Sequence, residues 1–204
     1  MDLLKKNKYP KHLEDDLSFG KQVVIFIWEV VKVVVISLAI IVPVRYFLIK
    51  PFYVNGASME PNFHDHEYLI IDEITYRFNE PQRGDIVVFR YPLDPSQYFI
   101  KRIVGLPNEK FKIIDGNVII FNDQWPQGEI LGESYLEAGV ETSGEIEIEL
   151  GDDEYYILGD NRIASLDSRV FGPIKRQAIV GRTWLRGWPL NRIGVVLSDA
   201  EYNL

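Results

Sequence analysis

A long apolar segment near the start of the chain limits its fold more than any other feature. Residues 22–44 are almost entirely aliphatic or aromatic, with Glu29 and Lys32 as the charged exceptions. About 20 apolar residues in a helix are enough to cross the hydrocarbon core of a bilayer. We therefore predict one transmembrane anchor at residues 22–48, preceded by a lysine-rich arm at residues 1–21. A lipid bilayer is the first expected partner of this chain.

The residues that flank the anchor indicate whether it is permanent and how it is oriented. A cleaved signal peptide is the alternative, but its apolar region would be shorter, and Arg45 follows here instead of a small-x-small cleavage site. Lysines are denser before the anchor than after it, so the positive-inside rule favours a cytoplasmic N-terminus. Residues 49–204 are then expected to form one extracytoplasmic domain of a single-pass protein in the cell membrane.

The composition of the chain excludes several classes of function. There is no cysteine, so disulfides and thiolate metal sites are impossible. The net charge of −8 divides into about +3 for residues 1–50 and about −11 for the remainder. Nucleic acid is not an expected partner, because phosphate contacts require a basic face. No Gly-rich phosphate loop is present, so no nucleotide is expected either.

Two histidines are the only hint of a metal site. His64 and His66 form a His-x-His pair without a visible third ligand. Such a pair is more typical of a solvated loop than of a metal centre. Neither a metal nor any other cofactor is predicted.

Short runs of β-branched and aromatic residues dominate the chain after the anchor, without alternating strand and helix patterns. This predicts an all-β fold, an antiparallel β-sheet or barrel-like domain. The clearest element is a hairpin whose turn at residues 115–117 joins two apolar runs. The predicted strands are 68–72, 85–91, 99–104, 111–114, 118–121, 145–150, 155–158 and 177–184; residues 54–57 are expected to be extended, and 164–169 and 188–193 to form short helical turns.

Residues 124–152 differ in composition from their surroundings. They are rich in Glu and Gly and contain few large apolar residues. We interpret them as an acidic, loop-rich excursion of the same domain that carries a hairpin. Its charges are interpreted as a solvated face, because charged runs in folded domains are usually exposed.

Ser58 and Lys101 together suggest acyl-transfer chemistry without histidine. Ser58 follows a bend at Gly56, and Lys101 follows a bulky apolar run. Each alone is more typical of a turn serine or an exposed lysine. Brought together, the serine could act as nucleophile and a neutral lysine as general base. The reference pKa of lysine is about 10.4, so this role requires burial that lowers the pKa by several units.

Four segments resemble the ordered sequence boxes of one enzyme family. They are residues 58–61 (SMEP), 83–89 (RGDIVVF), 101–107 (KRIVGLP) and 159–169 (GDNRIASLDSR). In this order, behind an apolar segment, they resemble bacterial type I signal peptidases, and in particular the single-anchor kind of Gram-positive bacteria. The resemblance extends over about residues 23–190 and is poor over the acidic excursion.

The resemblance implies catalytic roles for individual residues. Ser58 corresponds to the nucleophile, Lys101 to the general base and Ser165 to a hydroxyl that helps to orient the lysine. The positions that correspond to the supporting framework are Asp160, Asp167 and Arg169. We expect an Asp–Arg ion pair to hold the turn at residues 159–162 beneath the lysine; ordinary turn capping is the alternative.

Substrate binding in this family requires an extended peptide whose alternate side chains enter pockets. The matching positions are Phe52, Val54, Gly56, Met59, Phe99 and Ile100. Shallow apolar pockets there would admit alanine-sized side chains, as in an Ala-x-Ala cleavage site, although the same residues could simply form the core. Many relatives have serine where this chain has Gly56, and its hydroxyl is the second oxyanion donor beside the Ser58 N–H. Here that second donor is left open, a backbone N–H being one candidate.

The resemblance thus implies a membrane-anchored serine endopeptidase that removes signal peptides from secreted preproteins. One alternative is a Ser–Lys protease that cleaves itself, as repressor-type proteins do, but those proteins lack a membrane helix. The other is a catalytically silent membrane-anchored β-domain that binds exported peptides. The presence of both Ser58 and Lys101 favours the enzyme over this second alternative.

Overall fold

The chain divides into two compact units, Met1–Pro43 and Val44–Leu204. The structure, a computed structural model, describes residues 19–43, 49–196 and 202. Each unit is considered by itself below.

The first unit contributes one described helix, α1 (Phe19–Pro43). Among the described residues it is the one helix long and apolar enough to cross a membrane, over Phe19–Val42. The helix begins before the predicted start at residue 22, so the last residues of the predicted arm are helical. Residues 1–18 of the arm and residues 44–48 of the predicted anchor lie outside the described residues.

The second unit is built from β-strands with a few short helical turns. Its described strands are β1 (Ile49–Tyr53), β2 (Tyr68–Asp72), β3 (Ile86–Tyr91), β4 (Asp94–Gly105), β5 (Lys110–Ile114), β6 (Asn117–Phe121), β7 (Glu129–Ile130), β8 (Ile146–Glu149), β9 (Glu154–Leu158), β10 (Ile174–Lys175), β11 (Ile179–Trp188) and β12 (Gly194–Val195). The helical elements are α2 (Thr75–Phe78), α3 (Ser168–Phe171) and 3-10 turns at Arg176–Ala178 and Leu190–Arg192.

These strands form two sheets. The first has the order β1-β2-β11-β3-β4-β9-β10, with β12 beside β11, and the second has the order β7-β6-β5-β8. All pairings between the described strands are antiparallel. The prediction of an antiparallel all-β domain with an N-terminal apolar helix is confirmed.

The hairpin predicted from the sequence is formed by β5 and β6. They pair in register from Lys110 opposite Phe121 to Ile114 opposite Asn117. Asp115 and Gly116 have φ values of 49° and 76°, as a two-residue type I′ turn requires. The turn was readable from sequence because Asp-Gly is one of the few pairs that tolerate this conformation.

Two local expectations differ from the structure. An extended segment was expected over residues 54–57, but residues 56 and 57 form a bend and the strand lies earlier, at β1. The acidic excursion has no hairpin of its own, because β7 pairs with β6 and β8 pairs with β5. Both strands satisfy the unpaired backbone groups that the edges of the central hairpin would otherwise expose.

The register of β4 determines which side chains face the site. Lys101 lies opposite Val87 of β3, and Arg102 lies opposite Leu158 of β9. Successive side chains of a strand point to opposite faces of the sheet. Lys101 therefore points towards the Ser58 turn, while Arg102 points towards the segment that follows β9.

Candidate active site

Ser58 lies in a turn that follows β1 and packs on an apolar cluster. Gly56 has φ of +98°, a conformation that costs a side-chain-bearing residue strain. Its N–H donates to Asp65 Oδ1 at 2.8 Å, which ties the start of the turn to its far side. Met59 is 1% exposed and packs in an apolar cluster with Val54. The turn thus presents Ser58 above an apolar floor.

Lys101 is the residue that faces Ser58. Its side chain is 3% exposed, and Nζ donates to Ser58 Oγ at 2.6 Å and to the carbonyl oxygen of Ile100 at 2.8 Å. Burial lowers the pKa of Lys101 to about 8, against the opposing attraction of Asp167 and Asp160. The ammonium form is thus destabilised at the position where a general base would have to be neutral.

Arg102, on the opposite face of β4, forms a buried ion pair. Its Nε and Nη2 donate to the two oxygens of Asp160 at 2.8 and 2.7 Å, and its Nη1 donates to the Gly84 carbonyl oxygen at 3.0 Å. The guanidinium also lies 3.9 Å from the ring centroid of Tyr135. This two-pronged pair, the geometry in which Arg binds carboxylate best, links β4 to the segment after β9.

A second Asp–Arg pair lies within that segment. Arg169 donates from Nε and Nη2 to the two oxygens of Asp167 at 2.9 and 2.8 Å. Asp167 also accepts the Gly159 N–H at 3.1 Å. Burial alone would raise the pKa of Asp167, but these hydrogen bonds lower it below its ordinary value. The expected ion-pair framework is therefore present, with Asp160 paired to Arg102 and Asp167 to Arg169.

Ser165 lies inside this framework but does not contact Lys101 through a hydrogen bond. Its Oγ is buried and has no partner of ordinary geometry among the described residues, although it lies close enough to Asp167 to help lower the pKa of that carboxyl. A methyl group added at Gly159 would come within 2.1 Å of Ser165 Oγ and 2.5 Å of the Ser58 carbonyl oxygen. Glycine is therefore required there, because the segment approaches the Ser58 turn too closely for a side chain.

A cavity of about 390 Å³ opens beside Ser58 and Lys101. Four predicted substrate-binding residues line it, namely Phe52, Val54, Phe99 and Ile100. Met59 does not line it, since this residue is buried in the core beneath the turn. Gly56 does not line it either, because it lies at the exposed start of the turn.

The backbone donors near Ser58 differ in availability. The Gly56 N–H, two residues before the serine, is already bonded to Asp65. The Ser58 N–H has no acceptor within residues 49–196. One main-chain donor next to the serine hydroxyl is thus unoccupied in the described part of the chain.

Sequence reasoning missed the contribution of the acidic excursion. Glu133 pairs with Arg162, whose Nη1 donates to Glu133 Oε2 at 2.9 Å, and the Arg162 side chain is fully buried. Asn62 Nδ2 donates to Asp160 Oδ2 at 2.8 Å and to the Tyr135 carbonyl oxygen at 3.0 Å. The interpretation of these charges as a solvated face is incorrect for Glu133. The Glu-x-Tyr spacing gave no local signal of burial, because its partners are distant in sequence.

Comparison with known proteins agrees with this geometry. The family model described as "Signal peptidase, peptidase S26" matches residues 27–188. The chain belongs to this family. The probable signal peptidase I-2 of Synechocystis sp. is 36% identical over 85% of this chain and 78% of its own length. Signal peptidase I of Leptolyngbya laminosa is 35% identical over 85% and 86%, and that of Bacillus licheniformis is 30% identical over 89% and 98%.

Membership of the signal peptidase family confirms the resemblance inferred from the four sequence boxes. The chain is a bacterial type I signal peptidase, a serine-protease hydrolase that acts on signal peptides. The relatives from Synechocystis and Leptolyngbya match at least as well as the one from Bacillus. The narrower similarity to Gram-positive members therefore stays a prediction.

Proposed function

We propose that this signal peptidase is a membrane-anchored endopeptidase that cleaves preproteins by acyl transfer through a Ser58–Lys101 dyad. The observation that carries the proposal is the 2.6 Å distance between Lys101 Nζ and Ser58 Oγ. At this distance Lys101 can accept the Ser58 proton only when the lysine is neutral, and burial lowers the pKa of Lys101 to about 8. Between about pH 7.5 and 8, roughly a quarter to a half of the lysine would be neutral.

The reaction would proceed in two similar halves. Neutral Lys101 Nζ accepts the Ser58 Oγ proton while the oxygen forms a bond to the scissile carbonyl carbon. The resulting oxyanion accepts a hydrogen bond from the Ser58 N–H. When the C–N bond breaks, the Lys101 ammonium returns the proton to the departing amine. Water then attacks the ester by the same proton transfers, which releases the signal peptide and restores Ser58.

The remaining polar residues are proposed to hold the base in place. Asp160, Asp167 and Arg169 would keep the segment after β9 against the Ser58 turn through their two ion pairs. Ser165 has a buried hydroxyl without a hydrogen-bond partner among the described residues. We propose that this hydroxyl helps to orient Lys101.

The cavity beside the dyad is the proposed substrate site. Its walls come from residues 52–55 on one side and residues 97–101 on the other. An extended peptide between them would present alternate side chains to the Phe52, Val54, Phe99 and Ile100 surfaces. We propose that the apolar lining of this cavity receives the small side chains of an Ala-x-Ala site.

We further propose that α1 anchors the enzyme with its N-terminus in the cytoplasm and its β-domain outside. Support comes from the length and apolar composition of α1 and from the lysines that precede it. Anchoring would place the active site near the membrane face where signal peptides emerge. It would thereby raise the effective concentration of membrane-tethered substrate.

The proposal is tested by cleavage of a preprotein with an Ala-x-Ala site in detergent. Wild type, Ser58→Ala and Lys101→Ala are compared, and the wild type is assayed across pH. We expect cleavage by wild type alone, with a rising limb centred near pH 8, because only the neutral lysine accepts the serine proton.

Each other outcome has a defined meaning. Cleavage that survives both substitutions would show that the dyad is not the catalytic pair. Failure of all three proteins to cleave, with signal peptide still bound, would favour the silent binding domain. A wild-type rising limb near the ordinary lysine pKa, about 10.4, would contradict a desolvated base.

A further inference from the structure

Asn161 contacts both peptide groups that flank the proposed nucleophile. Its backbone N–H donates to the Ser58 carbonyl oxygen at 3.1 Å. Its side-chain Nδ2 donates to the Ala57 carbonyl oxygen at 3.0 Å. Ala57 precedes Ser58 directly, so a single residue of the segment after β9 holds the backbone on both sides of the serine.

Two hydrogen bonds to the Ala57 carbonyl oxygen determine where the Ser58 N–H points. Asn161 Nδ2 donates to this oxygen at 3.0 Å, and the Glu60 N–H of the same turn donates to it at 3.2 Å. The peptide that joins Ala57 to Ser58 is a rigid plane, in which the C=O and N–H of a trans bond point in opposite directions. Because Asn161 and Glu60 together hold the carbonyl oxygen on one side, the Ser58 N–H is directed to the other side, and Asn161 is the partner that comes from outside the turn. This N–H has no acceptor within residues 49–196, and it belongs to the residue whose Oγ contacts Lys101.

The orientation of the Asn161 amide is itself determined by its contacts. Oδ1 accepts the Ala164 N–H at 3.1 Å, while Nδ2 donates to Ala57. A flipped amide would place a donor against the Ala164 N–H and an acceptor against the Ala57 carbonyl oxygen. Only one orientation therefore satisfies both neighbours.

We propose that Asn161 is a positioning residue that aims the Ser58 N–H at the oxyanion of the transition state. The inference rests on the proposed Ser58 mechanism and identifies how the Ser58 N–H is oriented. It matters here because the Gly56 N–H is bonded to Asp65 and a glycine supplies no hydroxyl. Misdirecting the Ser58 N–H should raise the activation free energy of acyl transfer without weakening substrate binding.

The N161D variant separates this role from ordinary turn capping. An aspartate keeps the oxygen that accepts the Ala164 N–H but places a second oxygen, not a donor, against the Ala57 carbonyl. The N161A variant removes both side-chain contacts, to Ala57 and to Ala164, and keeps the backbone N–H that donates to Ser58. The matched control is N117A, because Asn117 Nδ2 also donates to a main-chain carbonyl, that of Asp115, but lies in the hairpin turn of the other sheet.

We expect N161D and N161A to lower kcat by about tenfold to a hundredfold, a fraction of the loss typical when an oxyanion donor is removed. KM should be nearly unchanged in both variants. The rising limb of the pH profile should stay near its wild-type position in N161A. N161D adds a carboxylate beside Asp160, whose charge already raises the Lys101 pKa, so its rising limb should move to higher pH and its kcat is compared with wild type on the plateau above that limb. N117A should match the wild type in all three quantities. Full-length proteins in detergent are assayed with the Ala-x-Ala preprotein, and thermal unfolding is recorded for each.

Wild-type kcat in N161D with loss only in N161A would show that Asn161 is a turn cap, and would overturn the inference. A loss expressed in KM, or an N161D protein that unfolds as readily as a destabilised N161A, would also overturn it. These results leave the proposed function intact so long as wild type cleaves and Ser58→Ala does not. Absence of wild-type cleavage would instead refute the proposed function itself.

Discussion

Lys101 is a cation in a position that water hardly reaches. Its burial lowers its pKa from 10.5 to about 8. The buried ammonium therefore lowers the free energy of unfolding of the domain. A shift of this size corresponds to about 3 kcal/mol. At the scale of one residue, the feature that would make the lysine a base also makes it a source of instability.

Replacing Lys101 by methionine should therefore stabilise the domain in a pH-dependent way. Between pH 8 and 10.5 the unfolded chain binds more protons than the folded chain, so wild-type stability rises with pH in this window. We expect Lys101→Met to gain up to about 3 kcal/mol below pH 8 and to lose most of that advantage above pH 10. Urea unfolding of both proteins at about pH 6.5 and 9.5 measures the difference.

The control for this experiment is Lys175→Met, which removes an exposed lysine from β10. Its stability relative to wild type should not change with pH over the same range. A Lys101→Met advantage that is constant with pH would mean that the gain comes from packing and not from the removed charge.

At the scale of elements, the second sheet contributes contacts to the segment that follows β9. Its segment between β7 and β8 carries Glu133, which pairs with the buried Arg162 just after β9. Arg162 also donates to the Gly159 carbonyl oxygen at 3.0 Å and to Thr142 Oγ1. The acidic excursion therefore holds the segment that approaches the Ser58 turn.

Glu133→Ala should destabilise the domain by about 3–5 kcal/mol, because it leaves the Arg162 guanidinium buried without its carboxylate. Thermal unfolding of the purified protein measures this loss. Glu145→Ala, an exposed glutamate in the same excursion, should change stability by less than about 0.5 kcal/mol. Equal effects of the two substitutions would mean that the excursion contributes only surface charge.

The elements differ in how well the sequence predicted them. The strand at 68–72 and the hairpin at 111–121 were predicted closely, because β-branched runs and an Asp-Gly turn are local signals. The partners of β7 and β8 were not predicted. An acidic segment with few apolar residues does not indicate which sheet edge it will pair with.

At the scale of the whole molecule, the β-domain contains its own core. Within the described residues, the three buried apolar clusters are made of residues from Phe52 onwards, and the chain separates into two units at Pro43. We therefore expect the second unit to fold without the apolar helix.

A chain that begins at Val44 should fold cooperatively and cleave a short soluble Ala-x-Ala peptide nearly as fast as the full protein. On a preprotein inserted in vesicles it should be slower by about a hundredfold or more, because tethering to the same membrane is lost. Rates for both substrates, with Ser58→Ala in the shortened chain as background, measure this ratio. Equal losses on both substrates would contradict a purely tethering role for α1.

The sequence alone determined the features that depend on local chemistry. Composition, periodicity and short motifs carry an apolar segment long enough to span a bilayer, the β character of the domain and the hairpin, so these were readable. Short motifs also singled out Ser58 and Lys101, the residues proposed as nucleophile and base. The family resemblance added the roles of those residues and the framework around them.

Only the tertiary structure decided how those residues meet. Asp160 pairs with Arg102, Glu133 pairs with Arg162, and the Ala57 carbonyl oxygen accepts a hydrogen bond from Asn161. Each contact joins segments that are far apart in sequence, so it forms only when the fold brings those segments together. Burial, which lowers the pKa of Lys101, arises in the same way, since it is a property of the packed surroundings and not of the lysine.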